Sequence, residues 1–264
     1  MGGTTIAKQQ GAMAMSKPMF SKWCRWLDQI YRDQLHDLLV NQHIFHQFGE
    51  CTKLYIGKYT AGELAHWMNQ GYIAFAATAV RRMIEEPPPT PVERRCPKCG
   101  HLLPLRKPKS RQQSLSLVVL LRDLANHTDL LTVERYRAMY RTLARRFGNS
   151  VARRFADRDF AIITRSRNAT KMPSSRINRD IAALKRVAEP VRRLVNKVIA
   201  HTEADRRRRG KMTYEKLNAA IALLAETFKT YSLLINGKCL TPLVPFSGYD
   251  VTKDLNKLWP KSDH

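Results

Sequence analysis

The residues with the clearest chemical potential lie near the end of a basic stretch, at positions 196–201 (NKVIAH). At about 100° per residue, Arg193, Lys197 and His201 fall on one strip of an α-helix, each displaced by about 40° from the last. A histidine can exchange a proton near neutral pH, and neighbouring cations can hold a phosphate. Metal-independent RNA cleavage needs such a base for the 2′-hydroxyl and such cations for the charge that builds on the phosphate. We therefore take this strip as a candidate catalytic site.

The surroundings of this strip leave two interpretations open. The strip is expected to border a groove or an interface, because the apolar stripe of Val191, Val195 and Val198 runs through the same segment. Alternatively, His201 only pairs with the last carbonyls of its helix. The run Arg206–Arg209 follows the helix and is a candidate RNA-binding segment, or else a solvated turn.

A second candidate site is the pair Cys96 and Cys99, followed by Gly100. A Cys-x-x-Cys-Gly turn points two thiolates at one tetrahedral metal, so the pair is half of a structural zinc site. A complete site needs further ligands from His101, from a distant cysteine such as Cys51 or Cys239, or from a partner subunit. The alternatives are a metal-free turn and, less favoured, a zinc-dependent DNA-binding regulator built around this pair.

The charge of the chain indicates its class of partner. Lys and Arg outnumber Asp and Glu by 46 to 22, which gives a net charge of +24 over 264 residues. Such a balance favours nucleic acid first and an anionic membrane surface second, against a solvated basic surface without a partner. The sequence has no apolar run long enough to span a membrane and no secretion signal at its start, and its five cysteines are scattered. We expect a cytoplasmic protein.

Helical periodicity accounts for most of the chain and predicts an all-α fold. The predicted helices cover about residues 21–48, 61–86, a short segment from Leu117, 132–148, 177–209 and 213–235. Pro190 predicts a kink or a break in the fifth of these. Residues 149–175 are expected to form a basic connection with at most one helical turn. The predicted core includes Trp67, Phe75 and Phe147.

The expected domain organisation is a flexible tail at 1–20, a helical bundle at 21–240 and a tail at 241–264 that packs on the bundle. Within the bundle, residues 87–113 differ in composition: they contain several prolines, a basic run and the Cys96–Cys99 pair. This segment is therefore expected to be a surface insertion.

Several of these segments together resemble a known superfamily. The sequence 196–201 is similar to the end of the signature helix of HEPN proteins, in which an Arg, often followed by Asn, precedes His by four to six residues. The segments 79–85 and 114–117, the helix 217–235 and the aromatic tail resemble a bacterial family near the abortive-infection branch of that superfamily. The resemblance covers most of the chain from about residue 25.

The resemblance implies an up-and-down bundle of four to five long helices and a homodimer that brings two signature helices together. In active members it implies metal-independent RNA cleavage in toxin–antitoxin or phage-defence systems, with an antitoxin protein as a possible partner and no required cofactor. By this resemblance His201 is the acid or base, and Asn196 is the polar residue that follows the arginine.

The signature arginine itself is missing from this sequence. Val195 stands six residues before His201, and the nearest upstream arginine, Arg193, stands eight before it. Arg193 therefore starts about 12 Å along the helix from His201, against about 9 Å at the longest signature spacing. Lys197 lies closer but cannot form the bidentate grip of an arginine on a phosphate. The sequence leaves two hypotheses: a HEPN-like endoribonuclease, or a non-catalytic RNA-binding or protein-interaction module of the same fold.

Overall fold

A computed structural model describes residues 18–55, 62–86, 115–196 and 213–237, together with Leu243 and Lys253. Within these ranges the chain is helical, and the one contact between extended segments is an isolated antiparallel bridge from Thr132 to Lys171. The helices are α1 (residues 18–30), α2 (His36–Tyr55), α3 (Gly62–Ile84), α4 (Leu117–Asn126), α5 (Val133–Met139), α6 (Arg141–Phe147), α7 (Asn149–Thr164), α8 (Ser174–Leu194) and α9 (Tyr214–Asn236). The all-α prediction is confirmed.

The first helical segment is continuous, because the π-helical turn Tyr31–Leu35 joins α1 to α2 without a loop. It runs antiparallel to α9. Tyr31 stacks on Phe228 with ring centroids 5.9 Å apart, and further along Gln42 Nε2 donates to Asn218 Oδ1 at 3.0 Å. Five apolar side chains of this segment are buried at steps of three or four residues, except for one step of five across the π-helical turn: Trp23, Leu27, Ile30, Leu35 and Leu38.

The central helix of the described bundle is α8, which packs against α3, α4 and α9. Within the described residues its apolar stripe is buried from Ile177 to Val195, as is the stripe of α9. A buried polar contact joins the two helices: Asp180 pairs with Arg176 on α8 and accepts a hydrogen bond of 2.9 Å from Tyr231 Oη on α9. Burial, with the charge of Asp180, raises the pKa of Tyr231, so the phenol stays protonated and able to donate.

The predicted break at Pro190 does not occur, because α8 continues through it to Leu194. The missing proline N–H removes only one hydrogen bond from the helix, and Ala188 and Val191 on either side are buried in the core. Packing of the flanking side chains thus holds the last turn in place.

Hydroxyl side chains cap the first turns of two of the shorter helices. Ser116 caps α4, because its Oγ accepts from Val119 N at 3.1 Å and also donates to Glu85 O at 2.6 Å. Thr132 caps α5 in the same way. The single helix predicted over 132–148 is two helices, however, because the backbone leaves the helical conformation at Tyr140 before α6 begins.

The prediction of a basic connection at 149–175 is wrong. Residues 149–164 form the 16-residue helix α7, which buries one narrow side through Ala152, Ala156, Phe160 and Ile163. Two of these four side chains are alanines, so the apolar period is weak in the sequence. The helix ends at Arg165, whose φ of 55° is left-handed and whose N–H returns to the last turn.

Three side chains predicted for the core are exposed: Trp67 (71%), Phe75 (41%) and Phe147. On α3 the buried face instead contains Tyr72, Ala76, Val80 and Met83. The rings of Trp67 and Phe75 therefore lie on the exposed side of α3, whereas the ring of Tyr72 is buried.

Several expectations fall on residues that the structure leaves undescribed. The insertion 87–113 and most of both tails lie outside the described ranges, so the predicted domain boundaries stay predictions. Leu243 is buried, and its carbonyl oxygen accepts a hydrogen bond of 2.6 Å from Tyr31 Oη. In the parts of the chain that could be searched, every helix is too short or too polar to cross a membrane.

Candidate functional site

A pocket of about 400 Å³ lies beside the C-terminal part of α8. The end of α3 closes one side of it and α8 the other. All but one of its lining residues are polar or charged by type: Arg81, Ile84, Glu85, Glu86, Lys185, Glu189, Arg192 and Asn196. We call it the α8 pocket.

One strip of α8, with Asn196 just beyond its end, supplies half of this lining. Lys185, Glu189 and Arg192 are separated by four and three residues, which brings them within about 60° of arc on a regular helix, and Asn196 follows four residues later. The buried stripe of Leu184, Ala188 and Val191 runs parallel to it. The core packing of α8 therefore points this polar strip at the end of α3. The alternating spacing of these four polar residues is a sequence signal for the pocket, although the predicted site included only Asn196 among them.

Glu86 connects three helices at the floor of this region. Its carboxylate accepts from Lys185 Nζ on α8 at 2.5 Å and from Arg122 Nε on α4 at 3.0 Å. Burial opposes ionisation of Glu86, but the hydrogen bonds from Lys185 and Arg122 outweigh it and lower the pKa of its carboxyl. Glu86 is thus a carboxylate at neutral pH.

Glu189 binds the two arginines of the last turn of α8. Its carboxylate accepts from Arg192 Nε at 2.7 Å and from Arg193 Nε at 2.8 Å. These hydrogen bonds, the one from Arg192 first, lower the pKa of Glu189 to about 2. Arg81 forms an ion pair with Glu85, with 3.8 Å between Arg81 Nη2 and Glu85 Oε1. Each cation of the α8 pocket therefore has a carboxylate partner, and the pocket is close to neutral.

Of the predicted strip of arginine, lysine and histidine, only the arginine lies among the described residues. The side chain of Arg193 is 70% exposed and does not line the pocket. Arg193 thus lies outside this pocket, and the expectation that its strip borders a groove stays a prediction. The reason for its place outside the pocket is angular: Arg193 lies about 200° around the helix from Val191, which is buried.

Asn196 does reach the pocket, next to Arg192. The α-helical register ends at Leu194, and Val195 and Asn196 lie in a π-helical turn. A spacing of 100° per residue consequently cannot be extended from α8 through this turn. The angular argument that grouped Arg193 with later residues holds only up to Leu194.

Val195 occupies the position where the signature arginine is expected, six residues before His201. Its side chain is only 2% exposed and belongs to the main core cluster. An arginine there has to bury a charge among apolar side chains, which is costly without a partner. In this chain, the position belongs to the core of the bundle.

The remaining candidate site residues lie outside the described residues: Lys197, His201, Arg206, Arg207, Arg208, Arg209, Cys96 and Cys99. Their predicted roles in catalysis, RNA binding and zinc binding stay predictions. The structure thus places Asn196 and Arg192 in the lining of the α8 pocket, whereas Arg193 shares the carboxylate of Glu189 with Arg192 but does not line the pocket.

Comparison with known families matches residues 20–257 to the HEPN_AbiU2 family, which is described as AbiU2. The match covers nearly the whole described bundle and confirms the expected resemblance to the abortive-infection branch of HEPN proteins. No curated protein and no solved structure matches the chain.

Proposed function

The chain belongs to the HEPN AbiU2 family, and on that premise we propose that it is an RNA-binding protein that cuts RNA without a metal at the end of α8. The observation that carries this proposal is the position of Asn196. Asn196 stands five residues before His201 and lines a polar pocket together with Arg192. It is thus a hydrogen-bonding group at the mouth of a pocket, close in sequence to the proposed base.

In this proposal His201 takes the proton of the 2′-hydroxyl and returns a proton to the leaving oxygen. Lys197 offsets the charge that builds on the phosphate, and Asn196 positions the substrate by hydrogen bonds through its side-chain amide. Arg193 has a different role. Its exposed guanidinium, fixed by Glu189, is suited to guiding the RNA backbone toward the end of α8.

The family match supports a proposal for the biological setting. We propose that two copies of the chain form a homodimer around the ends of α8 and that the protein acts in a toxin–antitoxin or phage-defence system, where an antitoxin protein would restrain it. Dimerisation is measurable by light scattering of the purified chain. The predicted zinc at Cys96 and Cys99 is separate from this mechanism and is tested by metal analysis of Cys96→Ser beside the unchanged protein.

A second candidate function is RNA binding without cleavage. The burial of Val195 in the core favours it, because the signature arginine has no counterpart at that position. The pairing of Arg192 and Arg193 with Glu189 favours it also, since these guanidinium groups are partly neutralised before RNA arrives. Both functions require RNA binding, and they differ in whether the length of the RNA changes.

The test is an RNA cleavage assay with a single-stranded oligonucleotide in excess chelator. We expect cleavage by the unchanged protein and a loss of about 100-fold or more in His201→Ala, since positioned acid–base groups contribute about that much. His66→Ala is the matched control, because His66 is an exposed histidine on α3, away from the α8 pocket. Asn196→Ala should slow cleavage less than His201→Ala does.

The outcomes separate the two functions. Intact RNA with every variant, together with RNA binding, favours the non-catalytic function. Cleavage that persists in His201→Ala at the rate of His66→Ala removes His201 from the mechanism. Cleavage that requires a divalent metal contradicts the proposed chemistry altogether.

A further inference from the structure

The helices α6 and α7 carry an unusual concentration of one residue type. Residues 141–167 contain eight arginines, no lysine and two aspartates. This short segment therefore holds a quarter of the chain's net charge of +24. Its arginines are Arg141, Arg145, Arg146, Arg153, Arg154, Arg158, Arg165 and Arg167, and all of them are exposed.

The exposed side of α7 combines charge with apolar surface. Val151, Arg154, Phe155, Arg158 and Ile162 lie within about 100° of arc, and the buried alanines of α7 lie on the other side of the helix. The first four of these residues, together with Asp157, line an open depression of about 540 Å³. All of the residues that line it belong to α7, so the depression opens outward from this helix.

Two aromatic rings are exposed beside the arginines. The guanidinium carbon of Arg158 lies 5.0 Å from the ring centroid of Phe155, and that of Arg146 lies 5.2 Å from the ring centroid of Phe147. Phe155 is 38% exposed and Phe147 more so. Each ring therefore presents a free face next to a cation.

The positive charge of this region is only partly compensated. Asp157 is engaged by Arg137 of α5 at 2.6 Å, and Asp159 lies 3.3 Å from Arg158. Among the described residues, no carboxylate pairs with Arg145, Arg146 or Arg154. Unlike the cations of the α8 pocket, these three arginines are available to an anion from outside the chain.

We propose that the exposed face of α6 and α7 is a docking surface for single-stranded RNA. The arginines bind successive phosphates, and bases stack on Phe155 and Phe147. We call this face the α6–α7 surface. The inference rests on the proposed RNA-directed function but assigns a separate site to it, since none of its residues lines the α8 pocket.

The composition of the surface selects this occupant. Arginine binds phosphate with two parallel hydrogen bonds and also stacks on bases. A single strand offers both its phosphates and its bases to such side chains, whereas a duplex exposes its phosphates but keeps its bases stacked inside. A helix that lies on a membrane needs a broad apolar face with its cations at the margin. On α7 the arginines alternate with Phe155 and Ile162 on the same face, which fits a strand of alternating phosphates and bases.

The experiment measures binding of a fluorescent 2′-O-methyl oligonucleotide without secondary structure. This probe lacks the 2′-hydroxyl, so it cannot be cleaved and binding is separated from catalysis. We expect the triple variant Arg145→Ala, Arg146→Ala, Arg154→Ala to bind at least about 10-fold more weakly, because three phosphate contacts are lost. The control triple variant Arg25→Ala, Arg82→Ala, Arg186→Ala removes the same charge from exposed positions on α1, α3 and α8 and should bind nearly as well as the unchanged protein.

A second pair of variants tests the stacking. Phe155→Ala should weaken binding by about fivefold or more, as expected for the loss of one base stack. Phe75→Ala is its control, since Phe75 is 41% exposed but lies on α3. Circular dichroism of all variants checks that the fold is retained, which is expected for exposed positions.

Three results would overturn the proposal. The first is an equal loss of affinity in the two triple variants, which would show that RNA affinity depends only on the net charge of the chain. The second is equal RNA binding by the α6–α7 variants and the unchanged protein. The third is a loss of binding to anionic phosphatidylserine vesicles in the α6–α7 triple variant while RNA binding persists, which would assign the surface to a membrane. None of these results depends on whether the protein cleaves RNA.

Discussion

The α8 pocket and the α6–α7 surface use arginine in opposite ways. In the α8 pocket, Arg81 and Arg192 each have a carboxylate within 4.0 Å, and Glu189 holds Arg192 and Arg193 together. Residues 141–167, which include the α6–α7 surface, contain eight arginines and only two aspartates. Compensated charge fixes the position of side chains but attracts a polyanion weakly, whereas uncompensated charge attracts it strongly over a distance. The comparison indicates two separate roles: the α8 pocket positions the RNA, and the α6–α7 surface binds it first from solution.

The largest effect is expected from placing an arginine at the signature position. Val195→Arg should lower the free energy of unfolding by on the order of 3 kcal/mol, because it buries a charge without a partner in the core. Urea denaturation measures this loss. A variant that keeps its stability and cleaves RNA faster would contradict the assignment of this position to the core, and with it the contrast between the two regions.

Salt should affect RNA binding next most strongly. With about five phosphate contacts, the affinity for single-stranded RNA should fall about 100-fold between 50 and 200 mM salt. The slope of the logarithm of affinity against the logarithm of salt should be smaller by about 2 in the α6–α7 triple variant, since three contacts are removed. An unchanged slope in that variant would place the phosphate contacts elsewhere on the chain.

A carboxylate added to the α6–α7 surface should make it resemble the α8 pocket. Ser150→Glu introduces a carboxylate in the first turn of α7, four residues before Arg154. There it can pair with this arginine, and the helix dipole stabilises its negative charge. We expect RNA affinity to fall by about fivefold, as for one lost phosphate contact, without loss of thermal stability. Ser174→Glu, in the first turn of α8 and four residues before Asn178, is the control and should bind RNA normally.

The converse change should make the α8 pocket resemble the α6–α7 surface. Glu189→Gln releases Arg192 and Arg193 from their carboxylate, so RNA affinity should rise by up to about fivefold. Glu226→Gln releases Lys229 on α9 and serves as the control. A similar rise in both variants would mean that only net charge matters, and no distinction between the regions would remain.

The smallest effect concerns the pH dependence of stability. The pKa of Glu189 is lowered from its ordinary 4.5 to about 2, so its ion pairs stabilise the fold above about pH 4.5 and are lost as the pH falls toward 2. Glu189→Gln should therefore unfold more easily at pH 6, by less than about 1 kcal/mol, and by a smaller difference at pH 3. Urea denaturation at both values tests this, and a difference that grows at pH 3 has the wrong sign.

The sequence predicted the elements whose cores consist of large apolar side chains. The stripes of α8 and α9 and the continuous first segment all have strong local signals. The prediction failed at α7, because its buried side contains two alanines and its arginines suggested a solvated link. It failed again at Trp67 and Phe75, because periodicity alone does not tell which of two apolar stripes on α3 faces the core.

The candidate site was predicted in part, for a related reason. Residue type and spacing identified the end of α8, and Asn196 does line a pocket there. The other side of that pocket comes from Arg81 and Glu86, which lie about a hundred residues earlier in the chain. No local pattern connects them with Lys185 and Arg192. Likewise, the role of Val195 as a core residue depends on the helices packed around it.

The bridge between Thr132 and Lys171 closes the excursion of the chain that carries α5, α6 and α7. Val133 N donates to Thr170 O at 2.9 Å, and Met172 N donates to Leu131 O at 2.8 Å, so the two ends are held side by side. Doubling the length of a chain segment between fixed ends costs only about 0.6 kcal/mol. Insertions at the exposed turn around Gly148 should thus lower the free energy of unfolding of the bundle only slightly. The RNA specificity of the α6–α7 surface can therefore diverge in evolution without disturbing the end of α8.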